Sequence, residues 1–145
     1  MFKYQKTKRY FGQISEGLET LASDELGMLG ATQIIPGFRC IHFSADQAAL
    51  YNINYQTRLV TRVLAPLASF ECRDRDDLYR AGRAIDWTDF FSIDNTFAVF
   101  ADVGGNDNIT HSNFAALCLK DAVADFFVST FAKRPNVDRT APDIW

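Results

Sequence analysis

The sequence predicts an α+β chain built from two α/β units, and three observations carry that prediction. Strand-type alternation and helix-type spacing follow one another in the order β-α-β-β-α-β up to about residue 65. A second run of strand and helix signals fills 66–145 and includes the longest helical stretch of the chain. Aromatic residues are plentiful, with 13 Phe, 5 Tyr and 2 Trp among 145 residues. Each buries a large area, so two small cores can form.

The elements of the first unit, 1–65, follow in order. YFGQIS at 10–15 reads as a short strand. Ser15 is placed to cap a helix over 17–29, with Glu16 and Glu19 at its positive end. Leu18, Leu21, Ala22, Leu26 and Leu29 share one face of it, and Gly30 is its stop signal. TQIIP and FRCIHF then alternate as two strands, with Pro36-Gly37 as the turn between them. Asp46 is the cap of a second helix over 46–55, with Leu50 and Ile53 facing inward, and LVTRVLA at 59–65 is the closing strand. That order is the split βαβ, or ferredoxin-like, arrangement.

Pro66 breaks an apolar run, and Ala65–Leu67 marks the hinge to the second unit, 66–145. There Asp74 starts a helix in which Asp76 and Arg80 form an i,i+4 pair. AIDWTDFF follows as an aromatic cluster, and TFAVFADV at 96–103 alternates as a strand with Phe97, Val99, Ala101 and Val103 on one side. After a Gly104-Gly105-Asn106-Asp107 turn, a long helix begins near Thr110 or Ser112 and stops before Pro135. Leu119, Ala122, Val123, Phe126 and Phe127 make its buried stripe. RPNVDRTAPDIW at 134–145 ends on two large apolar residues, Ile144 and Trp145, which read as the opening of a further strand and as poorly covered.

Composition excludes several function classes. Three cysteines, Cys40, Cys72 and Cys118, lack CxxC spacing and fit reduced thiols of a cytoplasmic protein. With only His42 and His111 besides, no metal site can be assembled from the pattern. No apolar run approaches the roughly 20 residues of a membrane span. His111 and Ser112 are adjacent, so on a helix they do not face each other as nucleophile and base, and Ser112 reads as a cap. GGNDN has neither the GxGxxG pattern nor a Walker lysine. No catalytic residue is assigned.

Net charge is −3 but uneven. Residues 58–83 hold six arginines against four acids, whereas 84–119 hold five aspartates and no Lys or Arg. A polyanion would therefore meet a local patch. Arg58 and Arg62, four apart, would share one face of a strand. Ser112 and Asn113 lie at a helix start, where free N–H groups favour anions. Lys120 lies two turns further on, and Lys133, Arg134 and Arg139 lie beyond the far end.

Five strings in order, GLETLASDELGMLGA, TRLVTRVLAPLASF, AIDW, HSNFAALCLKDAVADFF and RPNVD, resemble the N-terminal region of the THUMP-containing RNA methyltransferases. This group includes the bacterial large-subunit ribosomal RNA guanine N-methyltransferases, often labelled DNA adenine methylases. The resemblance runs from about Tyr10 to the end of the chain. It implies a ferredoxin-like unit followed by an RNA-binding THUMP unit whose last strands are missing here. It further implies a parent whose separate catalytic domain uses S-adenosylmethionine, with no cofactor assigned to this fragment. The partner implied is RNA, ribosomal RNA by family, with the methyltransferase domain in the same parent chain. The THUMP family's phosphate contacts would fall to the helix start, Lys120 and the basic C-terminal side, because the 104–110 loop is acidic or neutral. An alternative from another class is a protein-protein or small-ligand regulatory module, using the acidic 84–107 stretch and the aromatics of AIDWTDFF.

Overall fold

In the computed structural model, which describes residues 2–103 and 107–145, the chain divides into two units, Met1–Ser69 and Phe70–Trp145. The first begins with a short helix that the sequence patterns did not announce, α1 (Lys3–Thr7). It then runs β1 (Arg9–Gln13), α2 (Glu19–Met28), β2 (Thr32–Gly37), β3 (Cys40–Ser44), α3 (Gln47–Gln56) and β4 (Arg62–Leu64). The strands form one sheet in the order β2-β3-β1-β4, antiparallel at every pairing. This is the ferredoxin-like order expected from the element sequence.

Side-chain alternation makes the sheet two-faced. Ile41 and Phe43 of β3 are fully buried with Leu26 of α2 and Ile53 of α3, while Tyr10, Ile34 and Val63 pack against that core from the other strands. The opposite face carries Phe11, His42, Ile35 and Leu64. A register shift in β2 between Thr32 and Ile35, with Gln33 at φ 49°, keeps Ile34 and Ile35 on their respective sides.

Local chemistry moved several boundaries. Ser15 does not cap α2. The chain turns there through Gly17 at φ 85°, and the helix starts at Glu19 behind Leu18, which makes no side-chain cap. Only Ala22 and Leu26 of the expected stripe are buried, and Leu21 is exposed. Pro36-Gly37 is not the hairpin turn: both pair with β3, and Phe38-Arg39 make the connection. Pro36 is tolerated because β2 is an edge strand. Asp46, by contrast, caps α3 as expected, its carboxylate accepting from Ala49 N at 2.8 Å. Gly30, at φ 99°, carries the chain out of α2 in a conformation that a side chain resists.

One carboxylate ties this unit together. Glu25 on α2 accepts from Thr57 Oγ1 at 2.7 Å, Arg58 N at 3.0 Å and Leu59 N at 3.2 Å. Burial pushes its carboxyl upward, but these three donors and the nearby Arg58 charge outweigh that and hold it below the usual range. A carboxyl depressed in the folded state contributes stability that is present above the unfolded value of about 4.3 and lost as pH falls through the folded one. Glu25→Gln is expected to cost about 1–3 kcal/mol at neutral pH. It should also flatten the acid side of the stability profile. Hydrogen exchange of the β1 and β3 amides at pH 6 and at acid pH checks both.

The second unit contains α4 (Arg75–Arg83), a 3-10 turn (Trp87–Asp89), β5 (Thr96–Phe97), α5 (Ser112–Phe131) and β6 (Asn136–Val137). Asp74 caps α4 by accepting from Asp77 N at 2.9 Å. The arginine ladder is different from the expected Asp76–Arg80 pair. Asp77 holds Arg73 at 3.0 Å and Arg80 at 2.5 Å, and hydrogen bonding from Arg73 keeps its carboxyl low. The aromatic cluster faces inward: Phe91 lies 5.6 Å from Phe97 and 4.9 Å from Phe127, and Trp87 Nε1 donates to Gly82 O at 2.8 Å. The AIDWTDFF aromatics are thus core components rather than an exposed binding surface.

Strand pairing is shorter than the 96–103 alternation suggests, because only Thr96 and Phe97 are laddered, in parallel with Asn136 and Val137. Alternation continues nonetheless, with Val99, Ala101 and Val103 half-buried and Phe100 and Asp102 exposed. Gly104, Gly105 and Asn106 of the expected turn lie outside the described residues. The tail is more firmly held than its composition implied. Asp143 accepts from Thr96 N at 2.8 Å, Ile144 bridges to Phe97 and joins the core, and Ala98 N donates to Ile144 O at 3.0 Å. Trp145 is 60% exposed, with its ring stacked 5.0 Å from Phe100.

Candidate nucleic-acid interface

Helix α5 presents two faces. Ala115, Cys118, Ala122, Val123 and Phe127 are buried, Ala122 lying against Gly82 of α4. Asn113, Leu117 and Lys120, at i, i+4 and i+7, lie along another face. The segment after α5 returns through β6 beside this face and brings Val137 and Arg139 to it. Together they line a groove of about 220 Å³, with Val99 of the β5 segment at its side. Three residues singled out from sequence, Asn113, Lys120 and Arg139, therefore meet at one surface. Leu117 and Val137, both substantially exposed, supply its apolar lining and had no sequence signal beyond ordinary core periodicity.

Charge in the groove is positive but tethered. Lys120 Nζ lies 2.6 Å from Asp121, and Arg134 reaches the same carboxylate at 3.7 Å, which links Arg134 to the groove edge. The Arg139 guanidinium lies 5.9 Å from the centre of the Phe100 ring, which itself stacks on Trp145. Ser112 is engaged otherwise than expected. It is the first residue of α5, behind His111, and its hydroxyl accepts from Val103 N at 3.1 Å. Lys133 lies past the helix end, with its ammonium 2.9 Å from Asp94.

The remaining two sequence candidates lie in the first unit and do not form the pair that their spacing suggested. Arg58 sits in a bend before β4, where its backbone and charge serve Glu25, while Arg62 opens β4 opposite Gln13. The arginine-rich segment 58–83 is in large part internally engaged. Arg73 and Arg80 hold Asp77, Arg75 lies 3.7 Å from Asp76 and 6.0 Å from the Tyr79 ring centre, and Arg83 donates to Ser129 at 3.2 Å.

Among the described residues no group of three His, Cys, Asp or Glu side chains is placed to hold a metal, and no helix is long and apolar enough to cross a membrane. Cys118 is buried, Cys40 and Cys72 are half-buried, and all three are free thiols. Burial is the main cause that pushes the Cys72 and Cys118 thiols upward, away from nucleophilic thiolates.

A ferredoxin-like unit followed by a small α/β unit defines a two-part α+β architecture. Residues 72–145 match the THUMP domain, and residues 10–64 match the RlmL ferredoxin-like domain. The chain belongs to the THUMP domain family. It is 40% identical over 138 residues to the Synechocystis sp. protein slr0064, named provisionally as an RNA methyltransferase; the match spans 95% of this chain and 36% of that one. It is 39% identical to the ribosomal RNA large subunit methyltransferase K/L of Colwellia psychrerythraea, across 97% of this chain and 19% of that protein. A crystal structure from Listeria monocytogenes, titled as a predicted N6-adenine-specific DNA methylase, superposes with a TM-score of 0.69 at 20% identity. It covers 90% of this chain and 34% of its own, and shows the shared fold. The chain thus spans about a third or less of the relatives it matches.

Proposed function

We propose that this chain is the RNA-binding accessory region of an S-adenosylmethionine-dependent ribosomal RNA guanine N-methyltransferase of the cytoplasm. It would hold RNA for a catalytic domain carried by the parent protein. The observation that carries this is the α5 groove, where Asn113, Lys120 and Arg139 converge beside exposed apolar contacts. Such a surface suits phosphates and 2′-hydroxyls recognised by shape, with Lys120 and Arg139 on phosphate and the Asn113 amide on a hydroxyl. Arg134 adds to it through Asp121. Ser112 supports it by fixing the helix start, and Lys133 adds positive charge past the far end of the same helix, while Arg58 and Arg62 supply cations on the first unit.

The fold does not fit S-adenosylmethionine itself. Among the described residues the larger sheet is antiparallel throughout and the other has two strands of two residues each, so neither offers the crevice at the carboxyl ends of an open parallel sheet. The cofactor would belong to the parent's catalytic domain.

Titration of a structured ribosomal RNA fragment at two salt concentrations tests the proposal. With two or three phosphates neutralised, affinity should fall roughly 10- to 40-fold between about 50 and 200 mM salt. Negligible binding at both concentrations would overturn RNA binding by this chain.

A further inference from the structure

The ferredoxin-like sheet has a face that the α5 groove does not use. Pairing registers place Leu64, Phe11, His42 and Ile35 in one row across all four strands, in the order β4-β1-β3-β2. Their neighbours in sequence, Tyr10, Val63, Phe43 and Ile34, pack against the helix-side core, so alternation turns this row to the other side. Ile35 is 52% and Leu64 41% exposed, His42 is exposed and Phe11 half-buried. Phe11 and His42 come from the two central strands and lie 5.2 Å apart, ring centre to ring centre. Near the Arg9 end of this face a concavity of about 390 Å³ opens, bordered by Arg9, Ile35, His42 and the chain at 66–69. That volume is in the range of small-molecule sites.

Charge selects the occupant. The four strands contain no acidic residue, and Arg9 and Arg62 belong to β1 and β4. Residues 3–9 add Lys6 and Lys8 without an acid. Residues 1–69 hold seven Lys and Arg against five acids, whereas 70–145 hold eight against thirteen. Positive charge around a row with two aromatic rings in its central strands, set edge to face at 61°, is a combination that suits unpaired nucleotides. Bases stack on the rings while arginines meet the phosphates.

We infer that this sheet face is a second RNA-contact surface, on which bases of an unpaired RNA segment stack against Phe11 and His42. The inference rests on the RNA reading of the chain and extends it from backbone recognition to unpaired bases. It assigns the two surfaces different work: the α5 groove grips structured RNA through its backbone, and the sheet face takes unpaired RNA.

The test uses the whole chain and two labelled RNAs, a short blunt hairpin and an unpaired oligonucleotide, followed by fluorescence anisotropy at low salt. The native chain should bind both. Phe11→Leu combined with His42→Ala should weaken the oligonucleotide about tenfold, as loss of stacking on one or two bases does, and leave the blunt hairpin unchanged. Leucine keeps the apolar volume at 11 and His42 is exposed, so the fold should survive, and an unchanged circular dichroism spectrum would confirm it. An oligonucleotide that the double variant binds as tightly as the native chain does, or that the native chain fails to bind while it binds the hairpin, overturns the stacking surface alone. If neither RNA binds, RNA recognition by the chain fails and the stacking surface fails with it.

Discussion

Introducing a methyl group at Gly82 is expected to lower the stability of the C-terminal unit by about 1–3 kcal/mol, although alanine is the better helix former. Gly82 is buried on α4 where α5 crosses it. A Cβ there would lie 2.5 Å from Leu119 Cδ1 and 2.9 Å from Ala122 Cβ. The leucine tip can rotate away, but the alanine Cβ is fixed to the α5 backbone, so the two helices must separate. Separation would loosen the aromatic core behind them, since the Gly82 carbonyl also receives the Trp87 indole N–H. Gly82→Val should lose more than Gly82→Ala. Gly27 is the internal control, because it is also helical but exposed, with Ile34 Cδ1 at an ordinary 3.7 Å from an added Cβ. Gly27→Ala is expected to gain up to about 1 kcal/mol from helix propensity. Thermal melts followed by tryptophan fluorescence for the first pair, since Trp87 and Trp145 both lie in the C-terminal unit, and by hydrogen exchange of β1 for the control, separate the two effects. A stabilised Gly82→Ala would show that α4 and α5 do not pack this closely.

The contrast also shows which parts of the structure can be read from residues. Element order was legible because apolar periodicity is repeated over whole segments, and Asp46 and Asp74 announced two helix starts through cap chemistry that is local. Ser15 failed as a cap because Gly17 turns the chain first, and Pro36-Gly37 failed as a turn because an edge strand can absorb proline. The site was partly legible. Asn113 and Lys120 lie seven apart on one helix, a spacing that periodicity exposes. Arg139 joins them only through the return of the chain along β6, and no local pattern encodes that contact. The shared face expected of Arg58 and Arg62 failed for the converse reason: their spacing had meaning only on a strand, and the strand begins at Arg62. The row formed by Leu64, Phe11, His42 and Ile35 depends on pairing across four strands, so single-strand patterns could not reveal it.

Reversing charge in the α5 groove is expected to have the largest effect on binding. Lys120→Glu with Arg139→Glu removes two cations and places two carboxylates where phosphates would lie, beside the existing Asp121. Like charge across a contact surface costs several kcal/mol, so affinity for a structured ribosomal RNA fragment should fall by about a hundredfold at low salt. The slope of log affinity against log salt should shrink by about 2, one for each lost phosphate contact. Neither side chain belongs to either core, so the fold should hold. Lys133→Ala, whose ammonium is matched by Asp94 at the far end of α5, is the comparison and should change affinity by less than about threefold. The decisive measurement is therefore the salt-dependent RNA affinity of the native chain beside the Lys120→Glu/Arg139→Glu variant. Loss of affinity together with loss of slope is the predicted result. A variant that binds as tightly as the native chain, with the same slope, would contradict the assignment of the groove as the RNA contact.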